Sequence, residues 1–239
     1  MDYGLQLFSI RDITKDDFFG SLEKVKEIGY KYIEPAGFFG HGAEEVKAKC
    51  DELGLVISGT HSGLQDLIDN YDETVAYHKT LGNKNYIVPG FRLSTKADVD
   101  YFVEQVNRIQ PMLEKEGIRL AYHNHDGEFK PNEDGIIPYD EMVSRTNIGL
   151  EIDTYWAYAA GKDPVALMEQ LKDRLVAIHI KDGLANKEGK PLGLGTAPVK
   201  AVYDKALELG ILMVVESETL TPDGITEAKI CYDYLKNQE

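Results

Sequence analysis

The stretch IRLAYHNHDGEF, residues 118–129, decides the fold because it joins a short apolar run to a polar edge. This is the pattern of a buried parallel strand that ends at a functional site. Three later stretches repeat the pattern, and each ends on a side chain that can bind a metal: GLEIDTYW at Asp153, VAIHIKDG at His179 and MVVESE at Glu216. If the four strands are neighbours in one parallel sheet, their polar ends meet at one edge.

A second polar residue lies two positions away from each of these strand ends. Side chains two residues apart on a strand point to the same side of the sheet. The sequence therefore predicts four same-face pairs: His123 with His125, Glu151 with Asp153, His179 with Lys181, and Glu216 with Glu218.

Outward from this stretch, apolar strands alternate with helical patterns along the whole chain. Strands are predicted at 3–8, 31–37, 55–61, 85–90, 118–125, 148–153, 175–180 and 211–216. Helices are predicted at 18–28, 43–53, 66–81 and 96–116, then from Tyr139, from Asp163-Pro164 and from Pro198, and last at 223–235. Eight strand–helix units without a break in composition predict an α/β fold, a single (β/α)8 TIM barrel over residues 1–239.

The composition limits the partners and the compartment. The chain has 239 residues, with 41 acidic and 26 basic side chains and a formal net charge of −15. Because this charge repels phosphate backbones and anionic lipids, we expect no nucleic acid and no membrane as a partner. Two cysteines without metal-site spacing and a start without a signal-peptide pattern indicate a reducing, cytoplasmic location. The oligomeric state stays open, a homo-oligomer included.

The four strand ends, together with QLFSIRD at the first strand, resemble the xylose isomerase-like (β/α)8 barrel superfamily, also called the sugar phosphate isomerase/epimerase family. The resemblance implies one divalent cation, held by a Glu, an Asp, a His and a Glu from strands five to eight. Asp153, His179 and Glu216 match the last three positions. The strand-five position carries His123 instead of Glu, and the nearest carboxylate after it is Glu128.

These side chains suggest a metal site with defined chemistry. Carboxylates with one or two imidazoles suit Mn²⁺, Co²⁺, Mg²⁺ or Zn²⁺ without selecting among them. Such a cation would acidify the carbon between the carbonyl and the adjacent hydroxyl of an open-chain sugar. We expect Glu216 to act as the base, with Glu128 or His123 as the second acid/base group and as the fourth ligand. We expect Lys181 to stabilise the enediolate or to bind an anionic substituent.

Four further residues are candidates for substrate contact. Glu34 and His61 lie near the ends of strands two and three, His125 follows strand five, and Trp156 follows strand six. An aromatic side chain such as Trp156 offers an apolar wall to a sugar ring, although packing under a helix would also account for it. Glu151 is interpreted as a hydrogen-bonding support rather than a ligand.

The sequence therefore predicts a metal-dependent isomerase or epimerase that abstracts a proton next to a carbonyl of a small sugar, sugar phosphate or polyol. The alternative enzyme is a lyase that acts on inososes or keto-glycosides and begins with the same proton abstraction. A non-catalytic sugar-binding barrel is the alternative of another class, favoured by the missing strand-five Glu. An activity like that of endonuclease IV is disfavoured by the acidic charge and by only six histidines.

Overall fold

The computed structural model describes residues 1–239, and short parallel strands form its centre. The strands are β1 (Gly4–Gln6), β2 (Tyr32–Glu34), β3 (Val56–Ile57), β4 (Thr60–His61), β5 (Asn85–Val88), β6 (Arg119–His123), β7 (Gly149–Asp153), β8 (Leu175–Ile180), β9 (Asp182–Gly183), β10 (Gly189–Lys190) and β11 (Met213–Val215). Nine of them form one sheet in the order β3-β2-β1-β11-β8-β7-β6-β5-β4, while β9 and β10 form a separate antiparallel hairpin.

The nine sheet strands correspond to eight barrel strands because β3 and β4 are two parts of one predicted strand. β3 pairs with β2, and β4 pairs with β5. Only Ser58 and Gly59 separate the two parts, so the ends of the sheet meet and the barrel closes there. The predicted (β/α)8 TIM barrel is confirmed.

Helices surround the strands. They are α1 (Arg11–Thr14), α2 (Phe18–Ile28), α3 (Ala43–Leu53), α4 (Leu64–Asp69), α5 (Tyr71–Leu81), α6 (Lys96–Lys115), α7 (Pro138–Arg145), α8 (Thr154–Ala159), α9 (Pro164–Gln170), α10 (Val199–Leu209) and α11 (Gly224–Lys236). No helix is both long enough and apolar enough to cross a membrane.

Local signals explain where most helices begin and end. Gly54 ends α3 with a φ of 64°, a left-handed conformation that costs a glycine little. Asp163 begins α9, because its carboxylate accepts hydrogen bonds from the amides of Val165 and Ala166. The predicted bounds of α2 and α3 are confirmed to the residue.

Three helical details differ from the prediction. The short helix α1 was not predicted. The helix predicted over 66–81 is broken at Asn70, where φ is −136° and ψ is 47°. Asparagine competes for local hydrogen bonds and so favours such a break. The helix α8 was not predicted, and it follows directly from the end of β7.

The register of the sheet brings the polar strand ends to one level. His123 pairs with Glu151 across β6 and β7, and Asp153 pairs with His179 across β7 and β8. The side chains of these residues are buried inside the barrel, whereas a hydrophobic cluster of 51 residues fills most of the molecule. The fold therefore concentrates polar groups at the carboxyl ends of the strands, where TIM barrels place their active sites.

Candidate metal centre

Four side chains from neighbouring strands converge at the carboxyl end of the barrel. His123, Asp153, His179 and Glu216 each offer one ligand atom, and all four atoms lie within 4.8 Å of one another. All four residues are buried. The structure thus brings together Asp153, His179 and Glu216 with His123, whereas Glu128, the alternative fourth ligand, is not in this group.

Several polar atoms in this group have no hydrogen-bond partner. The buried atoms without one include Oδ2 of Asp153, Nδ1 of His123 and Nδ1 of His179. A buried polar atom without a partner is costly and rare, so each of these needs an explanation. The group consists of oxygens and imidazole nitrogens, the ligands that a borderline divalent cation prefers. The residues present therefore fit one divalent cation.

The electrostatics of Asp153 agree with this fit. Burial raises the pKa of Asp153 to about 7, against the opposing effect of the Lys181 charge. One of its oxygens accepts a hydrogen bond from the Trp156 amide at 2.8 Å and so begins α8. Its other oxygen is the unpartnered one. Asp153 is a carboxylate whose counter-charge is incomplete.

Lys181 lies among the carboxylates of the site. Its ammonium is 2.9 Å from Oε2 of Glu216 and 3.7 Å from Oδ2 of Asp153, and it also donates to Glu218. The same ammonium lies 4.9 Å from the centre of the Trp156 ring. Burial raises the pKa of Glu216, but Lys181 and His179 outweigh burial and hold that pKa well below its usual range. Glu216 is therefore ionised.

A second layer of polar groups lies beside the ligands. Glu34 accepts hydrogen bonds from Nε2 of His179 at 2.7 Å and from the Gln6 amide at 2.7 Å. The ring nitrogen Nε2 of His61 lies 2.8 Å from Glu151 and 3.2 Å from Glu34. Because Glu34 holds Nε2 of His179, the other ring nitrogen is left for a ligand bond.

The two buried glutamates of this layer differ in charge. Burial raises the pKa of Glu34, but the charges of His61 and His179 lower it to about 2. Burial and the negative charge of Glu34 raise the pKa of Glu151 well above its usual range. Two carboxyl groups this close do not ionise together, so Glu151 is the protonated one. Glu151, with His61, His123 and His179, also forms a second group that could hold a metal.

A cavity of about 1090 Å³ opens above these groups. Its walls include His61, His123, His125, Glu216 and Glu218, together with the loop 36–42 between β2 and α3. Among the predicted substrate contacts, His61 and His125 lie on this wall. Glu34 and Trp156 do not line it: Glu34 is fully buried beneath, and the Trp156 ring lies 6.0 Å from the His125 ring.

Glu128 lies outside the group of four ligands. One of its oxygens accepts a hydrogen bond from the Tyr122 hydroxyl at 2.9 Å, and the other accepts the His125 amide at 3.0 Å. The nearer oxygen is 4.0 Å from Nδ1 of His125. The structure therefore connects Glu128 to the site through His125 and does not place it on the cavity wall.

Three participants lacked an assigned role in the sequence. Glu218 was identified only by its spacing from Glu216, yet it lines the cavity and binds Lys181. Gln6 is the last residue of β1, and its side-chain amide donates a hydrogen bond to Glu34. A polar residue at a strand end, here the Gln of QLF, was the available sign of this role in the sequence. The loop GFFGHG brings aromatic side chains to the cavity, and its clustered glycines were the available sign of a special loop.

Comparison with known proteins defines the class to which this barrel belongs. The model of the xylose isomerase-like TIM barrel family matches residues 22–236, and the chain belongs to that family. A sugar phosphate isomerase/epimerase from Parabacteroides distasonis has a similar structure, with a TM-score of 0.82 and 25% identity over 98% of this chain and 96% of that one.

Two further proteins are similar at lower identity. An inosose dehydratase from Geobacillus kaustophilus is 23% identical over 186 residues, which are 67% of this chain and 60% of that protein. The chain thus spans less than two thirds of that relative. The protein IolI, solved with a bound zinc atom, has a TM-score of 0.74 at 15% identity and is covered over 98% of its length, with all of this chain aligned.

Proposed function

We propose that this protein is a divalent-metal-dependent isomerase or epimerase that removes a proton next to the carbonyl of a small sugar or polyol. The observation that carries the proposal is the convergence of four buried ligand side chains, several with unpartnered atoms, beneath a large cavity. The similarity to a sugar phosphate isomerase/epimerase supports the reaction class. A cytoplasmic location remains part of this proposal.

His123, Asp153, His179 and Glu216 would hold the cation. When bound, the cation supplies Lewis-acid polarisation of a carbonyl oxygen and its neighbouring hydroxyl. The zinc atom in IolI supports a metal in this type of barrel. Zinc, manganese, cobalt and magnesium are all compatible with the oxygen and nitrogen ligands of this site.

Glu216 is the proposed general base. It lines the cavity and is ionised, so it can accept a proton from a substrate carbon above it. Lys181 donates a hydrogen bond to one Glu216 oxygen at 2.9 Å and fixes its position. The ammonium of Lys181 would also stabilise the negative charge that develops on the substrate oxygens.

His125 is the proposed second proton-transfer group. Its side chain is 46% exposed and lines the cavity, and it follows β6, whereas Glu216 follows β11. Glu128 accepts the backbone amide of His125 and faces its ring, so it would position this imidazole. An imidazole held opposite a carboxylate base could return the proton to a neighbouring carbon or to the other face of the same carbon.

The second candidate function is a lyase that abstracts the same proton and then expels a β-hydroxyl. The similarity to inosose dehydratase favours it. The two candidates differ in their products, since the lyase forms an unsaturated or deoxy carbonyl compound and releases water.

The test measures hydrogen exchange at the α-carbon by NMR in D₂O, with Mn²⁺ or Co²⁺ and a panel of ketoses and inososes. We expect exchange into at least one compound, and we expect Glu216→Gln to slow it by about 10²-fold or more. His125→Asn should slow epimer or isomer formation while leaving metal content unchanged. Mass spectrometry of the products separates isomerisation from loss of water.

Metal content by plasma emission is the second measurement. Asp153→Asn should lose the cation, and Glu133→Gln is the matched control because Glu133 is an exposed carboxylate outside the site. Metal that stays bound at the same stoichiometry in the Asp153 variant would show that the ligand set is wrong. Absence of exchange in the fully loaded protein would favour a non-catalytic barrel.

A further inference from the structure

The wall of the cavity carries no basic side chain apart from histidine. It is formed by 22 residues, and none of them is a lysine or an arginine. Four of them are acidic, namely Asp66, Glu73, Glu216 and Glu218. A phosphate group in such a cavity would meet negative charge on the wall and no guanidinium or ammonium to pair with.

The basic residues nearest in sequence to the strand ends already have hydrogen-bond or ion-pair partners. Arg11 donates to the backbone carbonyls of Phe8 and Glu218 at 2.9 and 2.7 Å. The side chain of Arg92 is 76% exposed and pairs with Asp98. Lys181 is 2% exposed and is surrounded by carboxylates. None of the three lines the cavity wall, and the guanidinium of Arg11 lies over the Phe8 ring, 4.4 Å from its centre.

Helix N-termini are the other usual phosphate sites, and those at this cavity already hold negative charge. The helices α3 and α4 begin next to Gly42 and Gly63, which line the cavity. Glu45 lies in the first turn of α3 and accepts the Gly42 amide, and Asp66 lies in the first turn of α4. The helix α5 follows Asn70, another wall residue, and has Asp72 and Glu73 in its first turn. Acidic side chains at these three helix N-termini therefore disfavour a phosphate group there.

The cavity has room for a ligand larger than one sugar ring. Its volume of about 1090 Å³ is slightly above the range of ordinary small-molecule cavities, which measure roughly 300–1,000 Å³. Away from the metal-binding group, two large aromatic side chains on the wall remain exposed to solvent. Phe8 is 41% exposed and Phe39 is 48% exposed.

Phe39 is held at this wall by an unusual backbone. Its φ is 53°, a left-handed conformation that is uncommon for a bulky residue and costs about 1–3 kcal/mol. Packing of its ring against Phe18, at 5.8 Å between ring centres, supports this conformation. Such conformations persist only where the surrounding structure holds them, and they are found most often at active sites and ligand-binding sites. A half-exposed phenyl ring held in this way is suited to contact the apolar face of a sugar.

We propose that the site takes an unphosphorylated ketose that carries a glycosyl group on a hydroxyl and keeps its carbonyl free, with the ketose over the metal centre and a second neutral sugar ring against Phe8 and Phe39. The identity of the inner ketose rests on the proposed function. The preference for a neutral glycosyl group over phosphate rests on the cavity alone, so the two can fail separately.

The test compares three ligands that differ at one position. These are fructose, fructose 6-phosphate and isomaltulose, which is fructose with a glucosyl group on O6. Binding is measured by calorimetry on the metal-loaded protein, and lactulose is included as a second glycosylated ketose. We expect isomaltulose or lactulose to bind about tenfold more tightly than fructose, and fructose 6-phosphate to bind more weakly than fructose.

Variants assign the effect to the wall. Phe39→Ala should lower the affinity for the glycosylated ketoses about 5- to 10-fold and leave fructose unchanged. Phe39→Tyr should retain the preference, and Leu194→Ala is the control because Leu194 is 63% exposed and outside the wall. Glu73→Lys should raise the affinity for fructose 6-phosphate, since it places an ammonium on the wall.

The outcomes separate the two proposals. Four results would overturn the substrate class. Fructose 6-phosphate could bind more tightly than either glycosylated ketose, all the ligands could bind equally, or none of them could bind. The fourth is an unchanged preference in Phe39→Ala. Hydrogen exchange into these ketoses with the opposite ligand preference would leave the proposed function standing. The predicted binding order without any hydrogen exchange would support the substrate class and contradict the proposed function.

Discussion

Replacing Lys181 with methionine tests whether the lysine balances the carboxylates of the site. Methionine keeps much of the side-chain volume over Trp156 but removes the ammonium that contacts Glu216, Glu218 and Asp153. Lys181 is 2% exposed, and Glu216 is 5% exposed. The variant therefore leaves largely buried negative charge without its partner.

The magnitude follows from the burial of this group. Removing one partner of a buried ion pair costs about 3–5 kcal/mol, because the other charge is left uncompensated. For a chain of this length, each kcal/mol lowers the melting temperature by about 2–4 °C. We expect the metal-free Lys181→Met protein to melt roughly 6–20 °C below the metal-free wild type. A divalent cation should raise the melting temperature of the variant more than that of the wild type.

The assay is thermal unfolding followed by circular dichroism, with EDTA and then with excess Mn²⁺. Lys187→Met is the matched control, since Lys187 pairs with Asp126 at the surface and its side chain is 48% exposed. The control should change stability by no more than about 1 kcal/mol. A metal-free Lys181→Met protein as stable as the wild type would refute the reasoning, whereas a variant that folds only with Mn²⁺ would agree with it.

Two further predictions concern stability away from the ligands. Burial lowers the pKa of His78 from 6.5 to about 4, so the unfolded chain takes up the proton first and stability falls as the pH drops from 6.5 to 4. Between pH 7 and pH 4.5 this residue should account for about 2 kcal/mol of lost stability, and urea unfolding of His78→Gln should show a pH dependence smaller by that amount. Asp182 accepts hydrogen bonds from the amides of Gly193, Gly195 and Ala197. Asp182→Ala should therefore lower the free energy of unfolding by at least about 3 kcal/mol and make the segment 184–197 sensitive to limited proteolysis. The control Asp173→Ala, at an exposed position, should do neither.

The parts of the fold that local signals determine could be predicted from the sequence. The helices α2 and α3 have the predicted bounds, because apolar spacing and a terminal glycine act within a few residues. The candidate ligands could also be predicted from the sequence, since each of them lies at the end of a short apolar strand. The helix α8 was missed although its signal is local: Asp153, interpreted only as a ligand, also accepts the Trp156 amide and begins that helix.

The relations that depend on closure of the barrel could not be predicted. Glu34 and His61 lie on strands near the start of the chain, yet they contact His179 and Glu151 more than 85 residues later. No periodicity encodes that proximity, because it arises only when the two ends of the sheet meet. The link from Glu128 to the cavity through His125 likewise depends on the path of the loop after β6.

The charges of the buried site explain why a lysine and a metal centre can occupy one barrel mouth. Glu34 and Glu216 are ionised, and Asp153 contributes a third negative charge when it is deprotonated, while Glu151 stays neutral. Lys181 contributes one positive charge. Burial lowers the pKa of His179, but the neighbouring glutamates outweigh burial and raise it well above its usual range, so His179 contributes a second positive charge. Three negative and two positive charges leave one negative charge uncompensated, and a divalent cation would supply positive charge there. Lys181 and the cation would then act together, and neither would replace the other. We therefore expect that removing both Lys181 and the metal destabilises the protein more than removing either alone.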